Sequence, residues 1–143
     1  MKTLIVYSSK HHMNTEMVAK AMGSELAAEA RKLTDVKPDD LEGFDLIGFG
    51  SGIRGFAVHP ELANLVEGLA ERHGQKAFVF TTCASNRDCT RKFRTLLVEK
   101  GFRVAGEFHC PGLWTPLIFI LRKGHPDATD MDSARAFARS LLQ

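Results

Sequence analysis

Three short polar runs carry the side chains best suited to hold a charged ligand: Ser8-Ser9-Lys10-His11-His12-Met13-Asn14-Thr15, Ser51-Gly52-Ile53-Arg54-Gly55-Phe56 and Thr82-Cys83-Ala84-Ser85-Asn86. The first follows the apolar, β-branched stretch Thr3-Leu4-Ile5-Val6-Tyr7 and precedes a segment with apolar residues at helical spacing. Its hydroxyls and backbone N–H groups therefore gather at the positive end of a helix dipole, which is the chemistry of an anion site. Ser and Asn in such a place can also merely cap the helix. The order of strand, polar run and helix favours the anion over the cap. The adjacent His11 and His12 suit a metal only with a third ligand, and none stands at helical or loop spacing nearby, so no metal is expected.

The cysteines carry less. Cys83 lies where an apolar run opens into a polar one, the place of the nucleophile in small phosphatases, but the arginine those enzymes need six residues on is here Cys89. No two of Cys83, Cys89 and Cys110 are spaced as a thioredoxin-type pair, and ordinary buried thiols are the simpler reading. A phosphoacceptor role also fails on residues. It needs carboxylates where Ser8-Ser9 and Gly50-Ser51 stand.

The elements that must position these runs follow from periodicity. Thr3 to Tyr7 reads as a central strand buried on both faces. A helix from Thr15 to about Ala30 carries Val18, Met22 and Leu26 on one side, with Asn14 as its N-cap. Arg31 to Val36 is a weaker strand, and Asp45 to Gly50 a strong one ending in the glycine-rich run from Gly50 to Phe56. Pro60 opens a helix bearing Leu62, Leu65, Val66 and Leu69 that runs to Gly74. Lys76 to Thr81 is a third strong strand, followed by a helix from about Asp88 to Lys100, a strand from Arg103 to His109 and a last helix from about Asp130 to Leu142. Alternation of this kind predicts an α/β fold in three layers, a doubly wound parallel five-stranded sheet in the order 2-1-3-4-5. Ligands of such sheets bind outside the carboxyl ends of the strands, and all three polar runs leave carboxyl ends.

Length and composition set the bounds. The 143 residues fit one domain spanning 1–143, enough to bury roughly two-thirds of the unfolded chain's surface. With 44% apolar and 25% charged residues the chain should fold unaided. A net charge of +2 without a polybasic run argues against a nucleic-acid partner. The most apolar stretch, Leu113 to Leu121, is nine residues long and broken by Pro116, against the ~20 that a membrane span requires. The start lacks the apolar core of a signal peptide, and with an odd cysteine count the expected compartment is the cytoplasm.

Ile5-Val6-Tyr7-Ser8-Ser9 with Asn14-Thr15-Glu16, and Asp45-Leu46-Ile47-Gly48-Phe49-Gly50-Ser51-Gly52-Ile53, resemble the phosphate loop and second flavin loop of flavodoxins. The likeness runs through almost the whole chain in order and length. It implies a short-chain FMN-binding electron carrier, with the phosphate on Ser8 to Thr15, the ring between Ile53, Arg54 and Phe56 on one side and Thr82 to Asn86 on the other, and no side chain as an acid–base catalyst. Gly52 and Gly55 would let a peptide carbonyl turn toward the reduced ring. The phosphate run departs from the family's Thr/Ser-x-Thr-Gly-x-Thr pattern at His12-Met13 and is one residue longer.

The resemblance also implies redox partners, a reductase and an acceptor. The basic residues Arg87, Arg91, Lys92, Arg94, Lys100 and Arg103 suggest an acidic one. The stretch 113–121, with Trp114, is a candidate homodimer contact. Two other functions use the same fold: an FMN-dependent NAD(P)H or quinone reductase, for which 113–121 would be the substrate shelf, and a flavin-free interaction module.

Overall fold

Thr3–Ser8 forms β1, buried along its whole length as its unbroken apolar pattern requires. In the computed structural model, which describes residues 1–9, 14–54, 57–82, 88–110 and 128–143, β1 is followed by α1 (Asn14–Leu26), β2 (Glu29–Lys32), two 3₁₀ turns (Leu33–Asp35 and Pro38–Leu41), β3 (Leu46–Arg54), β4 (Ala57–Val58), α2 (Pro60–Glu67), β5 (Lys76–Thr82), α3 (Arg91–Glu99), β6 (Arg103–Cys110) and α4 (Ala128–Ser140). Five strands are parallel in the order β2-β1-β3-β5-β6, and the two-residue β4 pairs antiparallel with the end of β3. With β4 set aside this is the expected 2-1-3-4-5 order.

Each face of the sheet owns a core. Leu4, Val6, Ile47, Phe49, Ala77 and Val79 pack against Leu62, Val66 and Leu69 from α2 and its end, and against Phe93 and Leu97 from α3. Ile5, Tyr7, Phe78 and Phe80 pack against Val18, Ala19 and Met22 of α1 and Ala134 and Ala138 of α4. On this second face the glycines of β3 have a steric purpose: a Cβ at Gly48 would overlap the ring of Phe78, and one at Gly50 the ring of Phe80. The ring tips of Phe78 and Phe80 thus occupy the space over β3 that only glycine leaves open.

Several boundaries differ from the periodicity reading. α1 ends at Leu26, not Ala30, because Ala27 takes a left-handed conformation (φ 51°) and Ala28 N–H reaches back to Gly23 O at 2.9 Å. Asn14 is accordingly the first helical residue and not the flanking cap. The early stop brings the chain to the sheet edge sooner, so β2 is Glu29–Lys32 and 31–36 is half turn. α2 ends at Glu67 with Gly68 as its C-cap, short of Gly74. β3 continues through Arg54, because β5 pairs with it up to Gly52↔Thr82 and β4 then pairs Ile53↔Val58 and Arg54↔Ala57. Ser51 to Arg54 are therefore strand residues, where a loop was expected.

Candidate functional site

Parallel register brings four polar residues level at the carboxyl ends of the strands. Ser8 of β1 pairs with Ser51 of β3, Ser51 with Thr81 of β5, and Thr81 with His109 of β6. Alternation puts them on the face that lower down packs α2 and α3. The apolar core thus gives way to hydroxyls and an imidazole where the strands end.

His59, one residue before the Pro60 that opens α2, binds this row together. Its Nδ1 lies 2.8 Å from Ser8 Oγ, its backbone N–H donates to Ser51 Oγ at 2.9 Å, and Ser51 Oγ in turn donates to the carbonyl of Gly52. The side chain is buried, and its Nε2 comes within 3.4 Å of where a Cβ on Gly52 would stand. Sequence reasoning missed this residue. The available signal was a histidine between a strand at the ligand edge and a helix-opening proline.

On the other face, Thr15 Oγ1 and Thr82 Oγ1 are 2.8 Å apart, joining the first turn of α1 to the end of β5. Just below, Tyr7 donates its phenol to Glu16 Oε1 at 2.7 Å, both residues being buried. Burial, and then the neighbouring Glu16 carboxylate, push the Tyr7 phenol above its ordinary range. Lys20, one turn along α1, stands 3.8 Å from the same carboxylate. Ser9 Oγ is buried and finds no hydrogen-bond partner among the described residues. A buried hydroxyl without a partner is costly unless a ligand or another group completes it.

A second polar network lies toward β6. His109 bonds Thr81 Oγ1 through Nδ1 at 2.6 Å and Glu107 Oε1 through Nε2 at 2.8 Å. Glu107 also accepts from Thr90 and Arg94, and Arg94 holds Asp88 at 2.8 Å. The Arg94 guanidinium keeps the Asp88 carboxyl down at about 2, and Asp88 and Glu107 together raise Arg94 further above its ordinary value. This network, also unforeseen, uses up Arg94. Lys100 donates to Leu69 O at 2.8 Å. The basic face expected over 87–103 therefore reduces, among the described residues, to exposed Arg91 and Lys92 at the amino end of α3 and Arg103 at the start of β6.

Of the expected site residues, Ser8, Ser9, Asn14, Thr15, Ser51, Gly52, Ile53 and Thr82 lie at or beside the carboxyl edge on β1, α1, β3 and β5. Arg54 is the last residue of β3. Lys10, His11, His12, Met13, Gly55, Phe56, Cys83, Ala84, Ser85 and Asn86 lie outside the described residues, as does the stretch 113–121 with Trp114. Cys89 and Cys110 are buried. Among the described residues no cluster of His, Cys, Asp and Glu is arranged to hold a metal, and no helix is long and apolar enough to cross a membrane.

The comparisons with known proteins agree with this layout. A family profile described as "Flavodoxin domain" matches residues 4–125. An uncharacterized protein of Methanocaldococcus jannaschii, MJ0298, is 39% identical over 150 residues, covering 100% of this chain and 99% of its own. Among solved structures, a flavodoxin from the domain Archaea superposes with a TM-score of 0.74 at 18% identity, covering 100% of both chains. The flavodoxin of Streptococcus pneumonia TIGR4 superposes with a TM-score of 0.77 at 19% identity, covering 99% of this chain and 98% of the other.

Proposed function

The chain belongs to the flavodoxin domain family, and we propose that it binds FMN noncovalently and carries electrons between a reductase and an acceptor protein. The observation that carries this reading is the buried Ser9 hydroxyl, which has no hydrogen-bond partner among the described residues and follows Ser8 at the carboxyl end of β1, on the same sheet edge as Ser51, Gly52 and Thr82. That donor set suits a phosphate oxyanion, because hydroxyls and free helix N–H groups donate without a countercharge. When bound, the flavin supplies the one-electron chemistry.

The residues of this chain bind and shield. Ser8, Ser9, Asn14 and Thr15 would hold the phosphate, and Ser51, Gly52 and Ile53 with Thr82 would line the edge against the ring. The Tyr7–Glu16 bond fixes the first turn of α1 against β1, so the helix N–H groups keep one direction. Exposed Arg91 and Lys92 offer an acidic redox partner its first contact, a matter of encounter rate more than of affinity. The chain's place is the cytoplasm, where such carriers meet their reductases.

Titration of the flavin-free protein with FMN, followed by absorbance and fluorescence quenching, tests the reading. Tight binding of one FMN per chain is expected. A protein that binds no flavin would overturn it in favour of an interaction module. Rapid reduction of the bound flavin by NADPH alone in stopped flow would make the protein a reductase in its own right.

A further inference from the structure

We infer that His59 is a positioning residue for phosphate recognition: its imidazole donates from Nδ1 to Ser8 Oγ and thereby turns the Ser8 proton toward the ligand. This rests on the reading of Ser8 as a phosphate donor. A serine hydroxyl has one proton and two acceptor sites. If Ser8 gave that proton to Nδ1, only lone pairs would remain to meet an oxyanion, and they would repel it. If Nδ1–H donates, the hydroxyl accepts from the ring and keeps its own proton for the phosphate.

The backbone that carries the ring is anchored. The His59 backbone N–H donates to Ser51 Oγ at 2.9 Å, and the Ser51 proton is already committed to Gly52 O. Pro60 fixes the entry of α2 immediately after it. The side chain is buried, so water does not readily replace it. His59 spans β1 and β3, with Nδ1 on Ser8 and Nε2 beside Gly52. It thus holds the Ser8 hydroxyl in place against β3.

The test compares FMN with riboflavin, which lacks the phosphate, on the full chain and its variants. His59→Ala should weaken FMN binding by about 10-fold or more, the loss of one charge-assisted hydrogen bond. It should leave riboflavin affinity within about 3-fold, the precision to which independent sites add. His59→Asn, whose amide nitrogen stands near the place of Nδ1, should recover most of the FMN affinity, and His59→Gln, which reaches toward Nε2, should not. In a Ser8→Ala background His59→Ala should cost nothing further for FMN. Equal losses of FMN and riboflavin in His59→Ala overturn the role of His59 while leaving the FMN reading intact. Wild-type protein that binds neither ligand overturns the FMN reading and this inference with it. Nitrogen-15 NMR of His59 with saturating inorganic phosphate supplies an independent readout. A proton on Nδ1 is expected, and a bare Nδ1 overturns the inference.

Discussion

Tyr7 and Glu16 stand nine positions apart and are joined by a buried 2.7 Å hydrogen bond from phenol to carboxylate. Strand and helix are thus fastened directly below the proposed anion site. Tyr7→Phe leaves the carboxylate buried without its donor and should cost about 1.5–3 kcal/mol, as hydrogen bonds to charged groups do. Urea unfolding measures it. Because the folded-state phenol titrates above the unfolded value of about 10, its contribution is complete below that pH and is lost as pH rises beyond it. The wild type should therefore lose stability above about pH 10 more steeply than Tyr7→Phe, and parallel curves would contradict the assignment.

Gly50 and Gly52, two residues apart on β3, should respond to alanine to very different degrees. At Gly50 the new methyl group meets the ring of Phe80, so Gly50→Ala should destabilise by more than about 2 kcal/mol. At Gly52 the nearest atom is His59 Nε2 at 3.4 Å, an ordinary contact, and the cost should stay below about 1 kcal/mol. Thermal or chemical denaturation of the two variants decides this.

That tolerance makes Gly52→Ala a clean probe of the backbone beside the proposed flavin site. If the Gly52 peptide turns on reduction, the variant should keep its fold yet change the gap between the two one-electron potentials. Ser51→Ala, which releases the Gly52 carbonyl from its hydroxyl donor, should change the gap as well. Spectroelectrochemistry reads both, and unchanged potentials in both variants would dismiss the movement.

Arg94→Met removes the guanidinium that lowers Asp88. The Asp88 carboxyl should climb from about 2 toward its ordinary value, which lies near 3.9. The depressed value means that the pair contributes above about pH 4 and is lost as pH falls toward 2. Carboxyl carbon NMR across pH 1.5–6 would show the change, and an unmoved Asp88 would refute the pairing.

Ala27 holds a left-handed conformation that disfavours any side chain. Ala27→Gly should raise stability by about 0.5–1 kcal/mol, since glycine adopts that conformation without a Cβ penalty. A lower unfolding midpoint than wild type would count against it.

Strong strands were legible because burial on both faces leaves an unbroken apolar record, as in Leu4 to Tyr7 and Ala77 to Phe80. Weak elements were not. β2 sits at an edge with Glu29 and Arg31 bonded to each other, and nothing apolar marks its ends. The extension of β3 through Arg54 depends on β4 returning to pair with it, a tertiary choice without a local signal. At the site, the hydroxyls of Ser8, Ser51 and Thr82 were visible by type and place. His59 and His109 were not, because their roles come from neighbours 51 and 28 residues away in the chain.

The level row of Ser8, Ser51, Thr81 and His109 has a consequence for how such a protein can change over time. A slip of one residue between β1 and β3 would turn Ser8 to the opposite face and, by the same motion, expel Leu4 and Val6 from their core. The packing of the core also keeps these polar side chains level, so the segments that follow the strands can differ in sequence without disturbing that alignment.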